Sequence, residues 1–200
     1  MKTYVLTLSK VFPAYHRRKG EPTNFRAAFN AGQPFKKDAD TFCEFPKLHT
    51  IRTNYELWAK RFEQIERGEA QLSIRQWSGK PYHSKQEIIC NLTKADGIGI
   101  QKMVVAGCAT IHPKFVGECS VDCKTLAHND GLSEVDWRNW FEKYDLTEPL
   151  AVIHFTKFRY RYEKPIKWAM RQLPEIISRS EWSLLQRKKT ICRICGHTAL

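Results

Sequence analysis

Tyr55, Trp58, Phe62 and Ile65 recur at helical spacing between Asn54, a good N-cap, and Gly68, a good terminator. That spacing predicts an amphipathic helix over Tyr55–Arg67. Beyond the glycine the period changes. Ala70–Trp77 alternates as a strand, Ser78-Gly79-Lys80-Pro81 turns, and Ile88, Cys90 and Leu92 mark a returning strand. A helix that runs directly into a hairpin does not belong to a regular βαβ alternation, so the pattern points to a mixed α+β domain.

The remaining segments fit that class. Thr3–Leu8 carries Tyr4, Leu6 and Leu8 on one face and should open a sheet. Val11–Asn24 collects Pro13, His16, Arg17, Arg18, Lys19, Gly20 and Pro22 and reads as a basic irregular loop. A short helix is expected over Asn24–Ala31, ended by Gly32, and Lys47–Arg52 reads as a short strand. Ile100–Ala106 and Cys108–Ile111 are further strand candidates around Gly107, with a weaker one over Gly117–Lys124. Ser133-Glu134-Val135-Asp136 resembles a capping box, with Asp in place of Glu, ahead of a helix bearing Trp137, Trp140 and Phe141. Leu150–Phe158 is apolar on both faces except for His154, the mark of a central strand whose histidine is hydrogen-bonded in the core. The expected architecture is a small mixed β-barrel of about six strands with two or three inserted helices.

Residues 1–160 form the expected compact domain, and residues 161–200 a basic, partly helical C-terminal arm. Lys and Arg number 33 against 21 Asp and Glu, a net charge of +12. Nine basic and three acidic residues place +6 of that in the arm, which can contact nucleic acid or an acidic protein. No stretch approaches the roughly 18 uncharged apolar residues of a membrane span, and Met1–Leu8 is no signal-peptide core. Seven cysteines, an odd number, fit reduced thiols, and a cytoplasmic location is expected.

One group of residues carries a family likeness. Lys47-Leu48-His49-Thr50-Ile51-Arg52, following a helix that ends Ala31-Gly32, resembles the Gly…Lys-x-x-Thr-x-Arg signature of ASCH domains, relatives of the PUA RNA-binding fold. The stretches 5–13, 75–82 and 127–133 look like those of small bacterial ASCH-like proteins, and Ile153–Phe158 fits the last strand. The resemblance covers about residues 1–160. It differs in one respect: the family sets its glycine almost next to the lysine, whereas Gln33–Pro46 intervenes here. The resemblance implies a PUA-like barrel with a basic cleft that binds RNA or a nucleotide. It also implies an alternative, since some members are amidohydrolases that deacylate acetylated cytidine. Transferred by motif position, Lys47 is the assisting lysine, Thr50 the nucleophile and Asp130 the carboxylate, where the enzymes carry Glu.

The residues allow more than one reading. A threonine hydroxyl attacks an amide only if a base removes its proton, and Lys47 could do so if desolvation or the nearby Arg52 lowered its pKa from about 10.4. Strand alternation, however, puts Thr50 with Arg52 on one face and Lys47 with His49 on the other. The leading reading of Lys47, Thr50 and Arg52 is an anion-recognising edge, ahead of catalysis and of a structural ion-pair set. Asp130-Gly131 also reads as a plain turn. Arg75, Trp77, Lys80 and Tyr82 at the hairpin tip could stack a base and meet phosphate, or Trp77 could cap the core. Phe158-Arg159-Tyr160-Arg161-Tyr162 suits a nucleic-acid surface or an edge strand. Cys192, Cys195 and His197 resemble part of a zinc knuckle but lack a second complete Cys-x-x-Cys, and no metal or other cofactor is assigned. Gly97-Ile98-Gly99 lacks the rest of a dinucleotide fingerprint.

Overall fold

The computed structural model describes residues 1–34, 43–105, 114–117 and 119–161. The arm beyond 161, with Cys192, Cys195 and His197, lies outside them, as does the strand candidate Cys108–Ile111.

Strand β1 (Lys2–Leu8) turns Leu6 and Leu8 into the core, as its alternation requires. It pairs in parallel with β3 (Ala70–Trp77), which returns as the hairpin strand β4 (Gln86–Leu92). A parallel pair needs a long crossover. Here the crossover contains α1 (Phe25–Ala31), β2 (His49–Arg52) and α2 (Tyr55–Glu66). In α2 the Asn54 side chain accepts the Leu57 amide at 3.0 Å, and Trp58, Phe62 and Ile65 are buried. The helix lies against β3 and against β5 (Gly99–Val105).

The second sheet is antiparallel and holds β2, β8 (Leu150–His154), β5, β6 (Lys114–Val116) and β7 (Cys119–Val121), in that order. All five residues of β8 are buried, because the strand has a neighbour on each side and covered faces. The chain is thus mixed α+β, with eight strands and four α-helices among the described residues. The two sheets share no ladder there, so a closed barrel is not observed.

Two helices flank the turn that matters most. Helix α4 (Glu134–Phe141) starts where Ser133 accepts the Asp136 amide at 3.1 Å. Helix α3 (Cys123–Asn129) takes the place of the end of the strand expected over Gly117–Lys124. Its N-cap is Asp122, which accepts from the Thr125 amide at 2.8 Å, while Leu126 and Ala127 are fully buried. The loop 11–24 is irregular but anchored. Phe12 stacks on His16 at 4.4 Å, and Arg17 and Arg18 bridge to Asp136. The segment Phe158–Arg161 is not an edge strand; Phe158 and Arg159 are half-buried, Tyr160 is buried and Arg161 is exposed. The Tyr160 backbone is clasped by the Gln101 side chain, and Arg159 donates to the Gly97, Thr156 and Phe158 carbonyls. No helix among the described residues is long and apolar enough to cross a membrane.

Candidate functional site

The regular part of β2 begins at His49, so Lys47 stands outside its alternation. Lys47 forms instead an isolated antiparallel bridge with Asp130 in the turn between α3 and α4. The Lys47 amide donates to the Ala28 carbonyl at 2.9 Å and the Leu48 amide to the Asn129 carbonyl at 2.8 Å. Gly32 abuts this bridge despite the fourteen residues between it and Lys47: a Cβ built on it would lie 2.7 Å from the Lys47 carbonyl oxygen. Gly131, at φ +76°, makes the matching turn on the other side.

Within this frame the Lys47 ammonium donates to Asp130 Oδ1 at 2.5 Å and to the Asp130 carbonyl at 2.5 Å. It also sits 4.0 Å from the centroid of the Phe25 ring. Both partners are buried, with Lys47 1% and Asp130 3% exposed. Desolvation therefore dominates both titrations. It lowers the Lys47 pKa and raises that of Asp130, while the mutual attraction of the pair pulls each back. The positive charge of Arg52 adds to the lowering at Lys47.

Strand alternation separates Lys47 from Thr50; the structure brings them together. Lys47, Thr50, Arg52 and Asp130 all line one cavity of about 580 Å³. His49 leaves on the opposite side, where its Nε2 meets the Tyr160 hydroxyl at 2.9 Å. The deep end of the cavity holds the buried Lys47, Thr50 and Asp130, and the mouth carries Lys80 and the largely exposed Tyr82. Trp77 and Tyr82 lie with ring centroids 5.3 Å apart at 52°, on the wall formed by the hairpin tip. Arg75 lies outside the lining: it donates to Ser73 Oγ at 3.0 Å and Gln86 Oε1 at 3.4 Å, next to a register shift in β3. The cavity also recruits Lys10, Phe25 and Trp140, which sequence reasoning did not single out. They come from the end of β1, from α1 and from α4, and no local spacing links them.

Arg52 and Lys10 are fixed by backbone carbonyls: Arg52 Nη2 donates to Thr7 O at 2.7 Å, and Lys10 Nζ to Ser78 O at 2.6 Å. Behind the cavity, Tyr160 Oη accepts from Asn129 Nδ2 at 3.0 Å and meets His49 Nε2 at 2.9 Å. The expected hydrogen bond of His154 is not made. The residue is fully buried, with neither ring nitrogen partnered among the described residues, because its ring packs among His49, Phe158 and Tyr160. Burial lowers its pKa to about 3 and also depresses that of His49. No group of three or more His, Cys, Asp or Glu side chains among the described residues could hold a metal ion.

Comparison of the chain with protein-family models, with curated proteins and with solved structures finds no match.

Proposed function

We propose that this chain is an ASCH-like, PUA-related domain that binds RNA or a nucleotide in the cavity beneath the β3–β4 hairpin tip. On this reading the three-stranded and five-stranded sheets are the two halves of an opened PUA-like barrel. The observation that carries the proposal is the lining itself: aromatic rings of Phe25, Trp77, Tyr82 and Trp140 in one cavity with Lys10, Lys47, Arg52 and Lys80. Rings stack bases without regard to sequence, and cations meet phosphate. A volume of about 580 Å³ falls in the range of small-molecule sites, so the cavity suits a single nucleotide unit.

A second reading, an amidohydrolase acting on an acylated cytidine-type nucleoside, is favoured by one observation. Lys47 and Asp130 are paired deep in the cavity that Thr50 also lines. As a neutral amine, Lys47 would use its two N–H groups on the two Asp130 oxygens it already contacts, leaving its lone pair to take the Thr50 proton. Thr50 Oγ1 would then bond to the amide carbon, the C–N bond would break, and the proton on Lys47 would pass to the leaving nitrogen. Hydrolysis of the Thr50 ester by water would return the enzyme.

One experiment separates the two. The purified protein is titrated with a single-stranded RNA oligomer and with nucleoside monophosphates at low ionic strength, and incubated in parallel with acetylcytidine. Saturable binding without turnover supports the first reading. Release of cytidine that falls about 10³-fold or more in Thr50→Ala supports the second. Absence of both binding and turnover removes the two together.

A further inference from the structure

The charges around the cavity are distributed unevenly. Among the described residues Asp130 is the only carboxylate in the lining, and Lys47 occupies it. Lys10, Arg52 and Lys80 make no ion pair among the described residues, so the four cations and one carboxylate described there leave an excess of three positive charges. Two of these cations are held in place by neutral acceptors. Arg52 is tied to the Thr7 carbonyl, and Lys10, three residues further along, is tied to the Ser78 carbonyl at the base of the turn that carries Lys80. A carbonyl orients a cation without cancelling its charge. The guanidinium of Arg52 spends one nitrogen on Thr7 and keeps donors for an anion, in the planar geometry that matches phosphate oxygens.

We infer that the ligand is a nucleoside bearing a terminal phosphate monoester, gripped by Lys10, Arg52 and Lys80 while its base lies on the aromatic wall of Trp77 and Tyr82. The inference rests on the reading of the cavity as a nucleotide site, and it adds the chemistry of the recognised group. A monoester carries about −1.5 to −2 at pH 7, against −1 for an internal phosphodiester, so three cations in one lining favour an end over a chain interior. Two sources share this chemistry: a free mononucleotide and the 5′-phosphorylated end of an RNA.

The test uses the full chain and calorimetric titration. The ligands are the four ribonucleoside 5′-monophosphates, their parent nucleosides, and a tetranucleotide with either a 5′-phosphate or a 5′-hydroxyl. The expected result is at least one monophosphate binding about tenfold or more tighter than its nucleoside, the size of effect that charge-assisted hydrogen bonds give. Lys80→Ala, at an exposed position that leaves folding intact, and Arg52→Gln should each erase most of that advantage, lowering monophosphate affinity by a clearly larger factor than nucleoside affinity. Preference for the 5′-phosphorylated tetranucleotide over its hydroxyl twin assigns the source as an RNA end. Binding of the mononucleotide with rejection of both tetranucleotides assigns it as free nucleotide, and either outcome supports the inference. Equal affinity for nucleoside and monophosphate, or an equal loss for both in Lys80→Ala, overturns it while the broader nucleotide reading stands. Failure of every ligand to bind overturns both.

Discussion

Taking a lysine and an aspartate out of water costs several kcal/mol per ion, and in this protein one short contact and one carbonyl offset only part of it. The Lys47–Asp130 pair is therefore better understood as a device that fixes geometry than as a source of stability. Its partners lie 83 residues apart, and nothing local in the sequence couples them. The motif resemblance could nominate both, but only the bridge between the chain before β2 and the α3–α4 turn brings them into contact. The two buried histidines carry a different message. His154 has a pKa of about 3 and His49 one well below 6.5; burial is the main cause, followed by the charge of Arg159 for His154 and by His154 and Lys47 for His49. The unfolded chain thus binds more protons than the folded one below pH 6.5. The stability from keeping the rings neutral is complete above that pH and is lost as pH falls, at about 1.4 kcal/mol per pH unit for each histidine. Asp122, held below its usual 3.8 by its hydrogen bond from Thr125, titrates outside this window. Urea unfolding should show the protein less stable at pH 5.5 than at pH 7.0, His154 alone supplying about 1 kcal/mol of the difference. His154→Leu removes two unpartnered nitrogens, so it should leave stability at pH 7.0 unchanged or higher by about 1 kcal/mol and reduce the acid loss by about half. A wild-type protein equally stable at both pH values would contradict this account.

Most elements could be read from local spacing, and the ones that could not are short. The helix capped by Asn54, the hairpin of β3 and β4, the helix capped by Ser133 and the central strand β8 each rest on periodicity or a cap that a few neighbouring residues display. Helix α3 has seven residues and only two fully buried apolar ones, while β6 and β7 have three residues each, too few for a period to emerge. The strand assigned to Lys47–Arg52 was too long by two residues, and that error alone placed Lys47 on the wrong face. The element that enforces the observed geometry is the junction of α1 with the bridge. Gly32 has an ordinary helical φ of −78°, so alanine there would be expected to help the helix. Its Cβ would nevertheless fall 2.7 Å from the Lys47 carbonyl oxygen and 3.1 Å from the carbonyl carbon, both backbone atoms. Gly32→Ala should therefore destabilise by about 1–3 kcal/mol and weaken ligand binding, because the bridge must shift to accept the methyl group. Gly68→Ala provides the contrast. At φ +76° with nothing within 4 Å, it should cost about 1–2 kcal/mol through backbone strain and leave binding untouched. Urea midpoints and nucleotide titrations of the two variants check this, and a Gly32→Ala protein as stable as the wild type would show that the junction is looser than its geometry implies.

At the scale of the whole molecule, the cavity belongs to no single element. It is assembled by the end of β1, by α1, by β2, by the hairpin tip and by the α3–α4 turn, so its existence follows from the topology and not from any one motif. Charge, by contrast, is a property the sequence displays in full. Of the net +12, +6 falls in residues 161–200, and the described lining of the cavity holds four cations against one carboxylate. These two sources of positive potential predict different salt behaviour. A mononucleotide is short enough to engage the mouth alone, so few phosphate contacts and few released counterions accompany its binding. A single-stranded RNA long enough to leave the cavity offers further phosphates to the arm's charge, and each one neutralised adds about 0.7 to the slope of log K against log salt concentration. Titration of the full chain with a nucleoside monophosphate and with a fifteen-nucleotide RNA, each between about 50 and 200 mM KCl, should give a slope for the RNA at least about 1.4 units steeper, equivalent to two or more additional phosphate contacts. Equal slopes would mean that the arm's charge takes no part in holding RNA and that the cavity alone sets the affinity, whichever ligand occupies it.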